Sequence, residues 1–123
     1  MPDPVVRMVE VAKRLLERTR KSAVAWTKSG SGSETFQTGV GAQLVTIHPR
    51  DGDGNHPFVL TLWKRDEDSE EERKPWVQVE KIDSMQQTVD VSETLGALWR
   101  EARADALSIN ESIDAALEVL SDQ

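Results

Sequence analysis

At 123 residues the chain is long enough for one hydrophobic core and too short for two independent ones. It holds no cysteine, which excludes disulfides, thiolate metal sites and cysteine nucleophiles together. The net charge of −7 is unevenly spread: seven basic against three acidic side chains over residues 1–28, six against ten over 29–82, and two against nine over 83–123, a balance that argues against general nucleic-acid binding and favours solubility or a basic partner.

Asp3-Pro4 is a helix start, because Asp accepts from free amides and Pro tolerates the first helical position. Val5, Met8, Val9, Ala12, Leu15 and Leu16 follow at helical spacing and predict a first helix from about residue 4 to about residue 21. Its outer face pairs Glu10 with Arg14 and Glu17 with Lys21, each in the favourable order four residues apart. After Ser22 the pattern changes. "AVAWT" reads as a short strand, "KSGSGSE" as a flexible connection, and "TFQTGVGAQLVTIHP" as two strands joined by a glycine turn near Gly39 and Gly41. "PFVLTLWK" and "PWVQVEKI" are further strands by alternation, separated by the charged stretch "RDEDSEEERK".

Alternation places Val45, Ile47, Phe58, Leu60, Leu62, Val77 and Val79 on one sheet face, read as core. Leu44, Thr46, His48, Val59, Thr61, Trp63, Trp76 and Gln78 fall on the other, mixed face. Asp90 with Glu93 and Ser108 with Glu111 match capping boxes and open two final helices. The second helix presents Val91, Leu95, Leu98, Trp99, Ala102 and Ala106; the third presents Ile109, Ile113, Ala116, Leu117 and Leu120. Strands grouped together and flanked by helices predict one α+β domain over 1–123: an N-terminal helix, an antiparallel meander of four to five strands and two C-terminal helices. The start of the sequence lacks the pattern of an export leader, and no run approaches 18 apolar residues, so a cytoplasmic setting is expected.

"LLERTRKSAVAW", "ETFQT" and "LWREARADALSINESIDAALEVL" together resemble a group of small, poorly characterised bacterial α+β proteins. In that group a first helix ends in a Thr, a Trp follows seven residues later, a strand carries an aromatic before a Thr, and two helices close the chain. The corresponding residues here are Thr19, Trp26, Phe36 and Thr38; Ser22 stands where the group tends to have Gly. The resemblance implies the same fold and carries no activity and no catalytic residues.

"HPRDGDGNHPF" holds both histidines and invites a metal reading. A calcium loop of the EF-hand type needs Gly sixth and a bidentate Glu twelfth, where this chain has His56 and Leu62, and helices rather than strands on either side. Zinc through His48, His56 and one Asp would draw all its ligands from one loop. A hairpin loop using Asp-Gly and Gly-Asn for positive φ explains the same residues and is preferred. "KSGSGS" lacks the Gly-Lys-Ser/Thr ending of a phosphate loop, and Glu72-x-Lys74 sits in a charge run rather than on an apolar strand. Trp99 and Trp26 read as core. Trp63 and Trp76, on the mixed face, are candidate partner contacts. Arg7, Arg14, Arg18 and Lys21 fall on one side of the first helix, so Arg14 and Arg18 are candidates for an acidic partner or nucleic acid, against the plainer reading of a salt-bridged solvent face.

These observations point to a non-enzymatic protein–protein interaction or accessory module with no cofactor, engaging another protein or its own copy and no membrane. The alternatives are nucleic-acid binding through the first helix and a metal-dependent enzyme at the histidine loop.

Overall fold

The computed structural model describes residues 3–29, 34–50, 57–72, 75–84 and 88–121. Helix α1 spans Pro4–Arg20. The Asp3 carboxylate accepts from the Val5 amide at 2.8 Å, which satisfies one of the free amides of the first turn. The helix ends in a Schellman turn: the Ala23 amide donates to the Arg18 carbonyl at 2.8 Å and the Ser22 amide to that of Thr19 at 3.0 Å. This places Ser22 at φ 58°, the left-handed conformation usually left to glycine.

Five antiparallel strands follow: β1 (Thr27–Lys28), β2 (Phe36–Val40), β3 (Gln43–Pro49), β4 (Phe58–Arg65) and β5 (Trp76–Asp83). They are ordered β1-β2-β3-β4-β5, an uninterrupted meander. Gly41, at φ 62°, turns the β2–β3 hairpin, as the glycine pattern requires. Helices α2 (Val89–Ala106) and α3 (Ile109–Ser121) close the chain. The fold is α+β, with the predicted order of elements.

α1 and α2 lie side by side on one sheet face. Met8, Ala12 and Leu15 from α1 and Leu95, Leu98 and Ala102 from α2 share a core with Val45, Ile47, Phe58, Leu60 and Ile82 of the sheet. The Trp99 ring is stacked on Phe58 at 5.2 Å and tilted against Phe36 at 6.2 Å, and its indole N–H donates to the Glu34 carbonyl. Trp26 is buried as well. Its indole donates to the Thr19 hydroxyl at 2.9 Å, and its amide donates to the Asp105 carboxylate at 2.7 Å, so one residue ties the end of α1, the start of the sheet and the end of α2 together.

Several expectations need correction. Ala23–Trp26 is not strand, and β1 is only two residues long; the Trp26 amide and the Ala25 carbonyl are taken by the side chains of Asp105 and Thr38 and cannot join a ladder. Val77 and Val79 are not core: they are 39% and 46% exposed. A register shift lies between Leu62 and Trp63, where Leu62 faces Glu80 and Trp63 faces Gln78, so Val79 is the extra residue of a β-bulge. Core packing on β5 falls instead to Ile82, opposite Leu60. Neither capping box forms as expected. Thr88, not Asp90, caps α2 by accepting from the Val91 amide, and Asp90 turns to Lys13 at 3.3 Å. Ser108 has φ 52° rather than the extended backbone of an N-cap.

Candidate interaction surfaces

α1 and α2 cover one face of the sheet, and the other carries the mixed set. Cross-strand pairs on it are Leu44 with Trp63, Thr46 with Thr61 and His48 with Val59, then Trp63 with Gln78 and Arg65 with Trp76. Trp63 and Trp76 therefore occupy diagonal positions on β4 and β5, where long side chains come within reach of each other. Each is engaged by a different neighbour. The Trp63 indole donates to the Thr46 hydroxyl at 2.9 Å, which holds the ring across β3. The Arg65 guanidinium lies 3.9 Å from the centroid of the Trp76 ring, a cation–π contact. Both indoles are half-buried. Beside Trp63 a hollow of about 280 Å3 is lined by His48, Arg50, Thr61, Gln78 and Lys81 among others. Burial pushes the His48 imidazole below its ordinary value, the Lys81 ammonium adds to the effect, and the Asp83 carboxylate opposes it. Arg50 reaches Asp83 at 3.1 Å.

His48 is the one member of the proposed metal loop that can be placed. Residues 51–56, with Asp51, Asp53, Asn55 and His56, lie outside the described residues, as does Lys74. Among the described residues no group of three or more His, Asp or Glu is arranged to hold a metal ion, and no helix is long and apolar enough to cross a membrane.

The basic side of α1 is partly neutralised. Arg14 donates twice to Glu10, at 2.8 and 3.1 Å, and Lys21 reaches Glu17 at 2.9 Å. The Lys21 hydrogen bond and charge hold the Glu17 carboxyl below its usual range. Among the described residues Arg7 and Arg18 form no ion pair. Along this side runs an open trough of about 550 Å3 between α1 and the sheet. Met8, Val11, Leu62 and Val79 supply its apolar lining, with Arg7 and Arg14 and the carboxylates of Glu10 and Glu80 beside them. A second hollow, lined by Arg14, Glu17, Arg18 and Lys21 among others, continues it toward the end of α1.

α3 provides the largest departure from a closed core. Every residue from Glu111 to Ser121 is exposed, including Ile113 at 51%, Leu117 at 56%, Val119 at 61% and Leu120 at 67%. Its element contacts run to α2. The helix is amphipathic: Ile109, Ile113, Ala116, Leu117 and Leu120 form a stripe, and Glu111, Asp114 and Glu118 lie on the opposite side. It carries no Lys or Arg, and among the described residues none of its three carboxylates has an ion-pair partner. The spacing of this stripe was visible in the sequence. Its exposure was not, because an apolar stripe reads the same whether it faces the chain's own core or another molecule. The α1 trough was missed for a related reason: it depends on the bulge that swings Val79 out of the ladder, and the alternating pattern of β5 has no mark for it.

No protein-family model, curated protein or solved structure matches this chain.

Proposed function

We propose that the protein is a non-enzymatic interaction module that engages a protein partner through α3. The uncovered apolar stripe of α3 carries this reading. An isolated helix of fewer than about 12–15 residues is marginal in water, and α3 has 13, with Ile113, Leu117 and Leu120 in solvent; a covering surface would bury what the chain leaves open. Trp63 and Trp76 form a second candidate contact on the far face of the sheet. Nucleic-acid binding through α1 is the weaker reading, because Arg14 and Lys21 are already paired with Glu10 and Glu17.

The test uses fluorescently labelled protein in native cell extract, followed by sedimentation velocity. Wild type is expected to sediment as a species heavier than the free 13.7 kDa chain, and the Leu117→Ser/Leu120→Ser variant as the free chain. Identical sedimentation of the two would refute the proposal.

A further inference from the structure

The face of the sheet turned away from α1 and α2 is hollowed at its centre. On β4 the residues of this face are Val59, Thr61 and Trp63, and the first two are short and buried. Longer side chains stand beside them: His48 on β3 and Asp83 on β5 flank Val59, and Lys81 on β5 flanks Thr61. Arg50 reaches Asp83 at 3.1 Å, an ion pair that spans β4 and bounds one end of the hollow. Trp63, pinned by its hydrogen bond to Thr46, bounds the other. The space between is about 280 Å3, room for about nine waters.

We infer that this hollow binds a small aromatic carboxylate, with the ring against Trp63 and Val59 and the carboxylate between Lys81 and His48. The site is separate from α3 and stands whether or not α3 engages a partner.

Charge selects a monoanion. The charged groups that line the hollow are Arg50, Lys81 and Asp83, so Asp83 balances one of the two cations and a single positive charge is left over. Among the described residues Lys81 forms no ion pair and the His48 ring no hydrogen bond. Burial and the Lys81 ammonium hold the imidazole below its ordinary value against the pull of Asp83; at neutral pH it is uncharged and offers one N–H donor. One carboxylate meets the surplus charge and takes hydrogen bonds from both groups. A cationic ligand would face two cations with only the Asp83 carboxylate, already bonded to Arg50, to receive it, and a phosphate dianion would exceed the surplus.

Shape selects the ring. The Trp63 indole is already fixed across β3, so little further freedom is lost when a second ring packs against it, and an offset or edge-on ring pair adds to the apolar area buried. An inorganic anion would leave Trp63 and Val59 uncovered.

The probe is naphthoate, titrated into isotope-labelled protein and followed by nuclear magnetic resonance at the Trp63 indole N–H and the His48 ring. Saturable shifts at both are expected, with a Kd of about 1 mM or tighter. Lys81→Met, at an exposed position, should raise Kd about tenfold or more. Lys64→Met, which removes a β4 lysine outside the hollow, should leave it unchanged, and circular-dichroism melts confirm that both variants fold. Saturating naphthoate should raise the pKa of His48, because a carboxylate beside the ring favours the imidazolium; a ligand seated beside α1 would not move it. Naphthalenemethanol, which has the ring without the charge, and inorganic phosphate, which has the charge without the ring, should each bind about tenfold more weakly or less. An alcohol that binds as well as naphthoate would overturn the carboxylate, and phosphate that binds as well would overturn the aromatic ligand. Equal weakening in the two lysine variants, or no shift at Trp63 and His48 at about 10 mM naphthoate, would overturn the site.

Discussion

Replacing Thr19 by Val tests the junction on which the fold closes. The Thr19 hydroxyl donates to the Leu15 carbonyl at 2.6 Å and accepts from the Trp26 indole at 2.9 Å. Valine keeps the shape of the side chain and its helix propensity. It removes the acceptor and leaves an indole N–H stranded on a residue only 3% exposed. The Leu15 carbonyl remains in the helix ladder, so the cost is that of one buried, unsatisfied donor, about 1–3 kcal/mol. For a chain of this length each kcal/mol lowers the melting temperature by roughly 3–6 °C. Urea unfolding followed by far-ultraviolet circular dichroism, which does not depend on Trp26 emission, measures the loss. Thr19→Ser keeps the hydroxyl and should lose well under half as much. In a Trp26→Phe background, which has no indole N–H, Thr19→Val should cost less than about 0.5 kcal/mol, and the difference is the coupling between the two side chains. A Thr19→Val protein as stable as wild type, or the same cost in both backgrounds, would refute the reasoning.

Four further outcomes are expected. At Ser22, φ 58° makes Gly at least as stable as Ser, whereas Val should cost about 1–2 kcal/mol because a β-branched residue is strained there; the order Gly, Ser, Val in urea midpoints checks it. Leu98→Ala, at a fully buried position, should cost about 2–5 kcal/mol, while Leu117→Ala on α3 should cost less than about 0.5 kcal/mol in the monomeric chain, a contrast read from denaturation at low protein concentration. His48 is held below its ordinary pKa by burial and by Lys81, so the unfolded chain binds the proton more readily than the folded one. Its contribution is present above the unfolded value of about 6.5 and is lost as the pH falls below it; wild type should lose more stability than His48→Gln between neutral pH and the mildly acidic range, and equal losses would remove His48 as the cause. Arg65→Gln should uncover one face of Trp76 and cost about 0.5–1 kcal/mol, with acrylamide quenching of tryptophan emission rising.

The elements legible in the sequence are those whose signal is local and repeated. α1 has a cap, a proline and a heptad-spaced stripe within its own span, and β2 to β5 alternate between turns that glycine, proline and charge mark out. What escaped depends on pairings between distant segments. Trp26 reads as strand by composition, but its amide is claimed by Asp105, 79 positions away. Val79 reads as core by alternation, but the register shift beside Leu62 moves it to the trough. Thr19, Trp26, Phe36 and Thr38 fall in the same class. Thr19 is bonded to Trp26, Thr38 to the Ala25 carbonyl, and Phe36 packs against Trp99. A pattern whose members satisfy one another inside the protein is accounted for by closure of the fold. Charged groups with no ion pair among the described residues, such as Arg7 and Arg18 on α1 and the carboxylates of α3, are those to test for function, with the stripe behind them. They lie where a sequence pattern for the fold has least to say.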